Sequence, residues 1–196
     1  MFDMTFEPFA SRTHEKMKEV LMNPDASGPA IHYYMIRGSS EKRNITVWET
    51  GTVGGEYIKT YGHYHVDDLP EIYWTIAGEG IVLLQKLVVE NGVVQVDRVE
   101  DFKAIKVRAG DEVKIPGDYG HLALNTGTTW FVTEDDSPVA TADSASMPVH
   151  ADYETVKKMR GFAYYVVEKN GSPALVPNKL YKEVRKTDFG GIPLAE

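Results

Sequence analysis

Gly62-His63-Tyr64-His65-Val66-Asp67-Asp68-Leu69-Pro70-Glu71 is the stretch on which the reading of this chain turns. Two histidines stand two positions apart, and a glutamate follows six positions after the second. Alternate side chains of a β-strand share a face, so His63 and His65 point the same way and their imidazoles can reach one ion. Asp67-Asp68-Leu69-Pro70 reads as a turn, because proline is a poor residue for a strand interior. Glu71 opens the next apolar run, across that turn from the histidines. Two imidazoles and a carboxylate are the donor set of a divalent transition-metal site with open positions. A surface strand can also carry two histidines for no chemical reason, and this stretch alone leaves both readings open.

A second segment favours the metal. Gly110-Asp111-Glu112-Val113-Lys114-Ile115-Pro116 reads as turn, short strand and turn, and leads through Gly117-Asp118-Tyr119-Gly120 to His121 and Asn125. Three histidines and one glutamate on two separate strand-turn units form a far more specific pattern than either unit alone.

The remaining chain supplies a scaffold of short strands. Ile31 to Arg37, Asn44 to Thr50, Gly55 to His65 and the run from Glu71 read as strands, with Gly78-Glu79-Gly80 turning the chain. Ile81 to Val89 is apolar on both faces for part of its length, as in a central strand. Asn91-Gly92 between valine-rich runs predicts a type I′ hairpin. Further strands are expected at Val93–Val99, Phe102–Val107, Glu112–Ile115, Leu122–Thr126 and Trp130–Glu134, and a last hairpin at Phe162–Glu168 and Ala174–Val176. Turns about every ten residues predict an all-β sandwich or barrel over residues 31–177, not βαβ units. Before it, residues 1–30 read as an aromatic arm (Phe2, Phe6, Phe9) and a helix capped by Ser11 or Thr13 and running to about Met22. His14 is expected to be solvated on that helix and His32 to lie on a sheet surface. Residues 137–151 read as a long polar loop. Asp152 is placed to cap a helix running to Arg160, with Val156 and Met159 inward and Gly161 as its stop. The tail, residues 178–196, is expected to dock through Leu180, Tyr181 and Phe189.

Composition bounds the function. The 196 residues are enough for one well-buried core. With no cysteine, neither disulfides nor thiolate ligands are available. A net charge of −8 argues against nucleic acid as a partner. No apolar run approaches the ~20 residues that span a bilayer. Met1 to Glu7 lacks the basic start and apolar stretch of a signal peptide, so the expected location is the cytoplasm, with no membrane partner.

The two ligand-bearing segments resemble the two cupin motifs. The first runs H-x-H, then E, six residues and G, which Glu71 to Gly78 matches. The second runs G, five residues, P and a later H-x-x-x-N, matched by Gly110, Pro116, His121 and Asn125. Within cupins, Thr60-Tyr61-Gly62-His63-Tyr64-His65 and Glu71-Ile72-Tyr73 resemble the T-x-G-H-x-H and E-x-Y of the archaeal-type, metal-dependent glucose-6-phosphate isomerases. The resemblance covers roughly residues 44 to 177. It implies a cupin double-stranded β-helix, or jelly roll, with one divalent ion held by His63, His65, Glu71 and His121. Fe(II) is the first choice, with Mn(II), Ni(II), Co(II) and Zn(II) also compatible with these donors. It implies interconversion of glucose 6-phosphate and fructose 6-phosphate in glycolysis and gluconeogenesis, by a base or by a hydride shift. By the same resemblance Glu71 acts as ligand and base, and Tyr73, His150 and Tyr153 take catalytic positions. Thr46, Thr60, Gly62 and Tyr73 contact substrate, with Lys59 assisting electrostatically. Strict alternation puts Thr60 and His63 on opposite faces, so a bend or bulge near Gly62 is required. This chain departs from the family in reading His150-Ala151-Asp152-Tyr153 for G-H-D-Y and Glu134-Asp135-Asp136 where a tyrosine-proline is usual. Two other readings stay open: an Fe(II) cupin oxygenase, and a non-catalytic cupin that binds metal and a sugar. Exposed sheet edges and the aromatic arm favour a homodimer.

Overall fold

In a computed structural model of the chain, the described residues are 10–36, 44–138 and 151–195. Phe2, Phe6, Phe9 and His150 lie outside them, as does most of the 137–151 loop. Ala10–Thr13 (β1) leads into a one-turn helix, His14–Met17 (α1), and Ile31–Ile36 (β2) and Asn44–Trp48 (β3) follow. Three short strands come next: Thr52–Val53 (β4), Glu56–Tyr57 (β5) and Tyr64–His65 (β6). Longer ones succeed them: Glu71–Ala77 (β7), Glu79–Glu90 (β8), Val93–Arg108 (β9), Glu112–Ile115 (β10), Gly120–Asn125 (β11) and Phe131–Asp135 (β12). Ala151–Asp152 (β13), helix Glu154–Lys158 (α2), Tyr164–Lys169 (β14), Ser172–Pro177 (β15), Glu183–Val184 (β16) and Thr187–Asp188 (β17) complete the order.

One sheet runs β1-β2-β3-β12-β7-β10, and a second runs β11-β8-β9-β16 with β17 also on β9. Pairing within them is antiparallel except for β16 and β17, which run parallel to β9. β12 sits between β3 and β7, strands distant from it in sequence, so the chain rolls up rather than meandering. The expected all-β jelly roll is the observed architecture.

Alternation sets what the first sheet turns inward. On β3 the buried residues are Asn44, Thr46 and Trp48; on β12, Phe131, Thr133 and Asp135; on β7, Glu71, Tyr73 and Thr75. Trp48 packs on Phe131 with ring centroids 4.9 Å apart, which plugs one end of the interior. Toward the other end the inward residues become polar: Asn44, Asp135 and Tyr73 align across β3, β12 and β7. An apolar floor and a polar upper wall define where chemistry can sit.

The Asn91-Gly92 turn has φ of 52° and 76°, the two left-handed residues that a type I′ turn needs. Elsewhere the expected boundaries move. Val93–Val99 and Phe102–Val107 are one 16-residue strand, because register shifts around Leu87 on β8 absorb the irregularity without a break. The first helix ends at Met17 instead of near Met22. Side chains take the backbone groups that would extend it: Lys59 Nζ donates to the Val20 carbonyl at 2.7 Å, and the Met22 amide donates to Glu56 Oε2 at 2.8 Å. Tyr181 and Phe189 pack on the core as expected, but Leu180 is 46% exposed.

Both histidines of the first layer are placed differently from expectation. His32 is fully buried and His14 half-buried. His14 Nε2 lies 3.0 Å from the Ala26 carbonyl, which can only accept, so Nε2 carries the proton. His14 Nδ1 then accepts from His32 Nε2 at 2.9 Å. His32 Nδ1 is left buried with no hydrogen-bond partner among the described residues, and a second proton there would have no acceptor among them. Burial first, then the charges of His14 and Lys59, push His32 down to about 4. Between that value and the ordinary imidazole value near 6.5 the unfolded chain binds the extra proton and the folded one does not. Stability is therefore full above about pH 6.5 and falls as pH drops toward 4. Denaturant midpoints measured across that window will slope less for His32→Gln; equal slopes would refute this account.

Candidate metal centre

The segment from Lys59 to β6 crosses β11. Lys59 lies opposite Leu124 and His63 opposite His121, so four steps on one side meet three on the other. One residue is bulged out, and Gly62 carries the bend at φ +82°. The anticipated bulge is there, and it turns His63 and His65 to the same side as His121. β7 pairs with β10 through Glu71 and Ile115, which carries Glu71 to that side on the first sheet.

One donor atom from each of His63, His65, Glu71 and His121 lies within 4.8 Å of the others. Glu71 Oε2 stands 3.2 Å from Nε2 of both His65 and His121. Donors at the ~2.0–2.2 Å bond lengths of a transition ion stand roughly 3–3.5 Å apart in tetrahedral or octahedral arrangements. The two contacts of Glu71 fall in that range and the remaining donors lie within 4.8 Å, so this group could hold a metal. His65, Glu71 and His121 are buried, whereas His63 is half-exposed, so the cluster is reached from the His63 side. Burial pushes the Glu71 carboxyl up to about 7; its hydrogen bond to His65 lowers it, and the neighbouring Asp135 raises it further. Burial, then the charges of His63 and His65, hold His121 well below the imidazole range. Both shifts favour neutral groups, the state that a divalent ion would reverse at the carboxylate and exploit at the imidazole.

The other expected residues separate into two groups. Tyr73 faces the cluster, its hydroxyl 3.0 Å from His121 Nε2. The Tyr153 ring lies 5.3 Å from that of His63, set there by helix α2, whose first amides are capped by Asp152 Oδ1 at 2.9 and 3.2 Å. Thr46 is on the inner face, two strands from β7. Thr60 is near, but its hydroxyl already accepts from the Ala123 amide at 3.0 Å. Lys59 is not near the cluster. It is 4% exposed, ion-paired with Glu56, bonded to the Val20 carbonyl and stacked on Tyr165 at 5.0 Å. Its neighbour Thr60 points the other way, which is why the expected pairing of the two at one ligand fails. His150 lies outside the described residues.

Two interior residues were not anticipated. Asp135 hydrogen-bonds Glu71 and accepts from Asn44 Nδ2 at 2.6 Å and Ser137 Oγ at 2.6 Å. Thr133, beside it, has a buried hydroxyl with no hydrogen-bond partner among the described residues. Glu134-Asp135-Asp136 looks like an acidic turn, yet alternation counted inward from Phe131 would have placed 133 and 135 in the interior.

A rolled pair of antiparallel sheets holding an H-x-H, a glutamate and a third histidine around one point defines a cupin. A family profile described as "Glucose-6-phosphate isomerase (GPI)" matches residues 30–183. The glucose-6-phosphate isomerase of Thermococcus onnurineus is 33% identical over 138 residues, covering 70% of this chain and 62% of that protein. That of Pyrococcus furiosus is 32% identical over 139 residues, covering 70% and 63%. This chain thus spans less than two thirds of the length of either relative. Among solved structures, oxalate decarboxylase from Bacillus subtilis overlaps 66% of this chain and 26% of its own, at 15% identity and a TM-score of 0.37. The chain belongs to the glucose-6-phosphate isomerase family.

Proposed function

We propose that the chain is a metal-dependent aldose–ketose isomerase that interconverts glucose 6-phosphate and fructose 6-phosphate. The observation that carries this reading is the convergence of His63, His65, Glu71 and His121 inside a chain of this family. A divalent ion held by these four residues supplies Lewis acidity toward adjacent carbonyl and hydroxyl oxygens. Fe(II) is the proposed ion. Glu71 moves the proton between the two carbons, and a bound divalent ion would keep its buried carboxyl ionised, as a base must be. Tyr73 and Tyr153 flank the reacting end of the sugar, and Thr46, Thr60 and the Gly62 amide receive the phosphate. Asp135 adds a carboxyl on the wall beside Glu71, which suits sugar hydroxyls better than phosphate. The exposed valines 66, 89, 93 and 94 support pairing of two chains, and a cytoplasmic role in glycolysis and gluconeogenesis goes with the activity.

Purified protein assayed with glucose 6-phosphate, before and after chelation, tests the reading. Turnover that chelator removes and an added divalent ion restores is the expected result. Turnover indifferent to chelator would end the metal-dependent proposal, and oxygen uptake with an organic substrate would favour an oxygenase instead.

A further inference from the structure

One of the four converging residues, His65, sits on β6, a strand of only two residues reached through the bulge at Gly62, and His63 immediately precedes it. Among the described residues, the backbone here is held only by the reciprocal bonds between His63 and His121, at 3.2 and 3.0 Å, and by the two-residue pairing of β6 with β13. Tyr64, between the two histidines, points to the opposite face and is buried. Its ring covers Gly120, where an added Cβ would come within 2.6 Å of it, and packs on Phe162 at 5.9 Å. Gly120 precedes His121, so this contact ties β6 to the strand bearing the third histidine.

The Tyr64 hydroxyl accepts from Gln85 Nε2 at 2.6 Å. Gln85 is fully buried on β8, and all its amide capacity on this side is used. Oε1 accepts from the Ala163 amide at 2.8 Å, which fixes the orientation of the carboxamide, and the second Nε2 proton goes to Tyr181 Oη at 3.0 Å. Tyr181 in turn donates to the Gly161 carbonyl at 2.9 Å. The chain of bonds runs from the tail, through the middle of a central strand, to the residue between two histidines.

We infer that Gln85 and Tyr181 are positioning residues for the metal: through Tyr64 they set where His63 and His65 stand relative to His121 and Glu71. This rests on the metal reading above. The residues touch neither ion nor substrate, so their effect is on ion affinity and coordination geometry.

Co(II) titrated into metal-free full-length protein tests this, with a competing chelator for affinity and the visible absorption bands for geometry. Tyr64→Phe, Tyr181→Phe and Gln85→Met are compared with Asn125→Ala. Asn125 is an equally buried amide that bonds Glu49 and Thr129 carbonyls away from the cluster. The expected result is Co(II) binding weakened about tenfold with altered bands in the first three, on the scale seen when supporting partners of metal ligands are removed. Asn125→Ala is expected to lower the melting temperature with Co(II) binding unchanged. Wild-type affinity and bands in Tyr64→Phe and Tyr181→Phe would overturn the inference while leaving the metal reading intact. Failure of the unsubstituted protein to bind Co(II) would overturn the metal reading itself. The two Tyr→Phe variants each delete one oxygen and decide the matter even if Gln85→Met does not fold.

Discussion

Glu71→Gln is expected to cut glucose 6-phosphate turnover by about 10²–10⁴-fold, the range over which a positioned acid–base group contributes. Glutamine matches glutamate in volume and can still accept a hydrogen bond from an imidazole N–H of the cluster, so the barrel will fold as before. It cannot take up a proton at neutral pH, and it is a poorer donor to a divalent ion. The two losses separate experimentally. Rates measured at saturating metal isolate the proton transfer, and metal content after dialysis reports the coordination. A saturated rate within tenfold of the unsubstituted protein would remove Glu71 from the chemistry and leave it as a ligand only.

Lys59→Met is expected to cost stability rather than substrate affinity. The ammonium and the Glu56 carboxylate are almost completely buried, at 5% and 1% side-chain exposure. Glu56 also holds the Met22 amide and Lys59 the Val20 carbonyl, so the pair staples the end of the first helical turn to the barrel. Removing one member leaves a buried charge without its counterion, which costs about 3–5 kcal/mol. In a chain of this length that lowers the melting temperature by roughly 6–20 °C. The double variant Glu56→Gln/Lys59→Met, which removes both charges, should recover part of the loss. KM for the sugar phosphate should stay within twofold. A raised KM with unchanged stability would return Lys59 to the substrate.

Much of the site was legible because it rests on strand parity. H-x-H places two rings together, E-x-Y places Tyr73 beside Glu71, and the conflict between Thr60 and His63 calls for the bulge that Gly62 supplies. The hairpin at Asn91-Gly92 and the strand at Glu112–Ile115 follow from backbone chemistry equally local. What escaped depends on partners far along the chain. His14 and His32 pair across 18 positions, and no periodicity in either segment announces that contact. Lys59 looked like a cation beside a ligand-binding threonine, although Glu56-x-x-Lys59 carries its true partner three residues away. Asp135 fell one residue beyond the expected strand end at Glu134, whereas the strand runs through it and its parity with Phe131 decides where it points.

The parallel strands β16 and β17 give the fold a particular assembly history. Arg98 and Glu183 are 85 positions apart, yet they pair side by side and share an ion pair at 2.7 Å. Contacts this distant in sequence pay their loop-closure entropy before any return, so they form slowly and late. During synthesis the sheets can roll up before Tyr181 leaves the ribosome, but the histidine-bearing strand is then still unclamped. A nascent chain halted before that point would expose β9 as an open sheet edge, the surface on which strands from other molecules add.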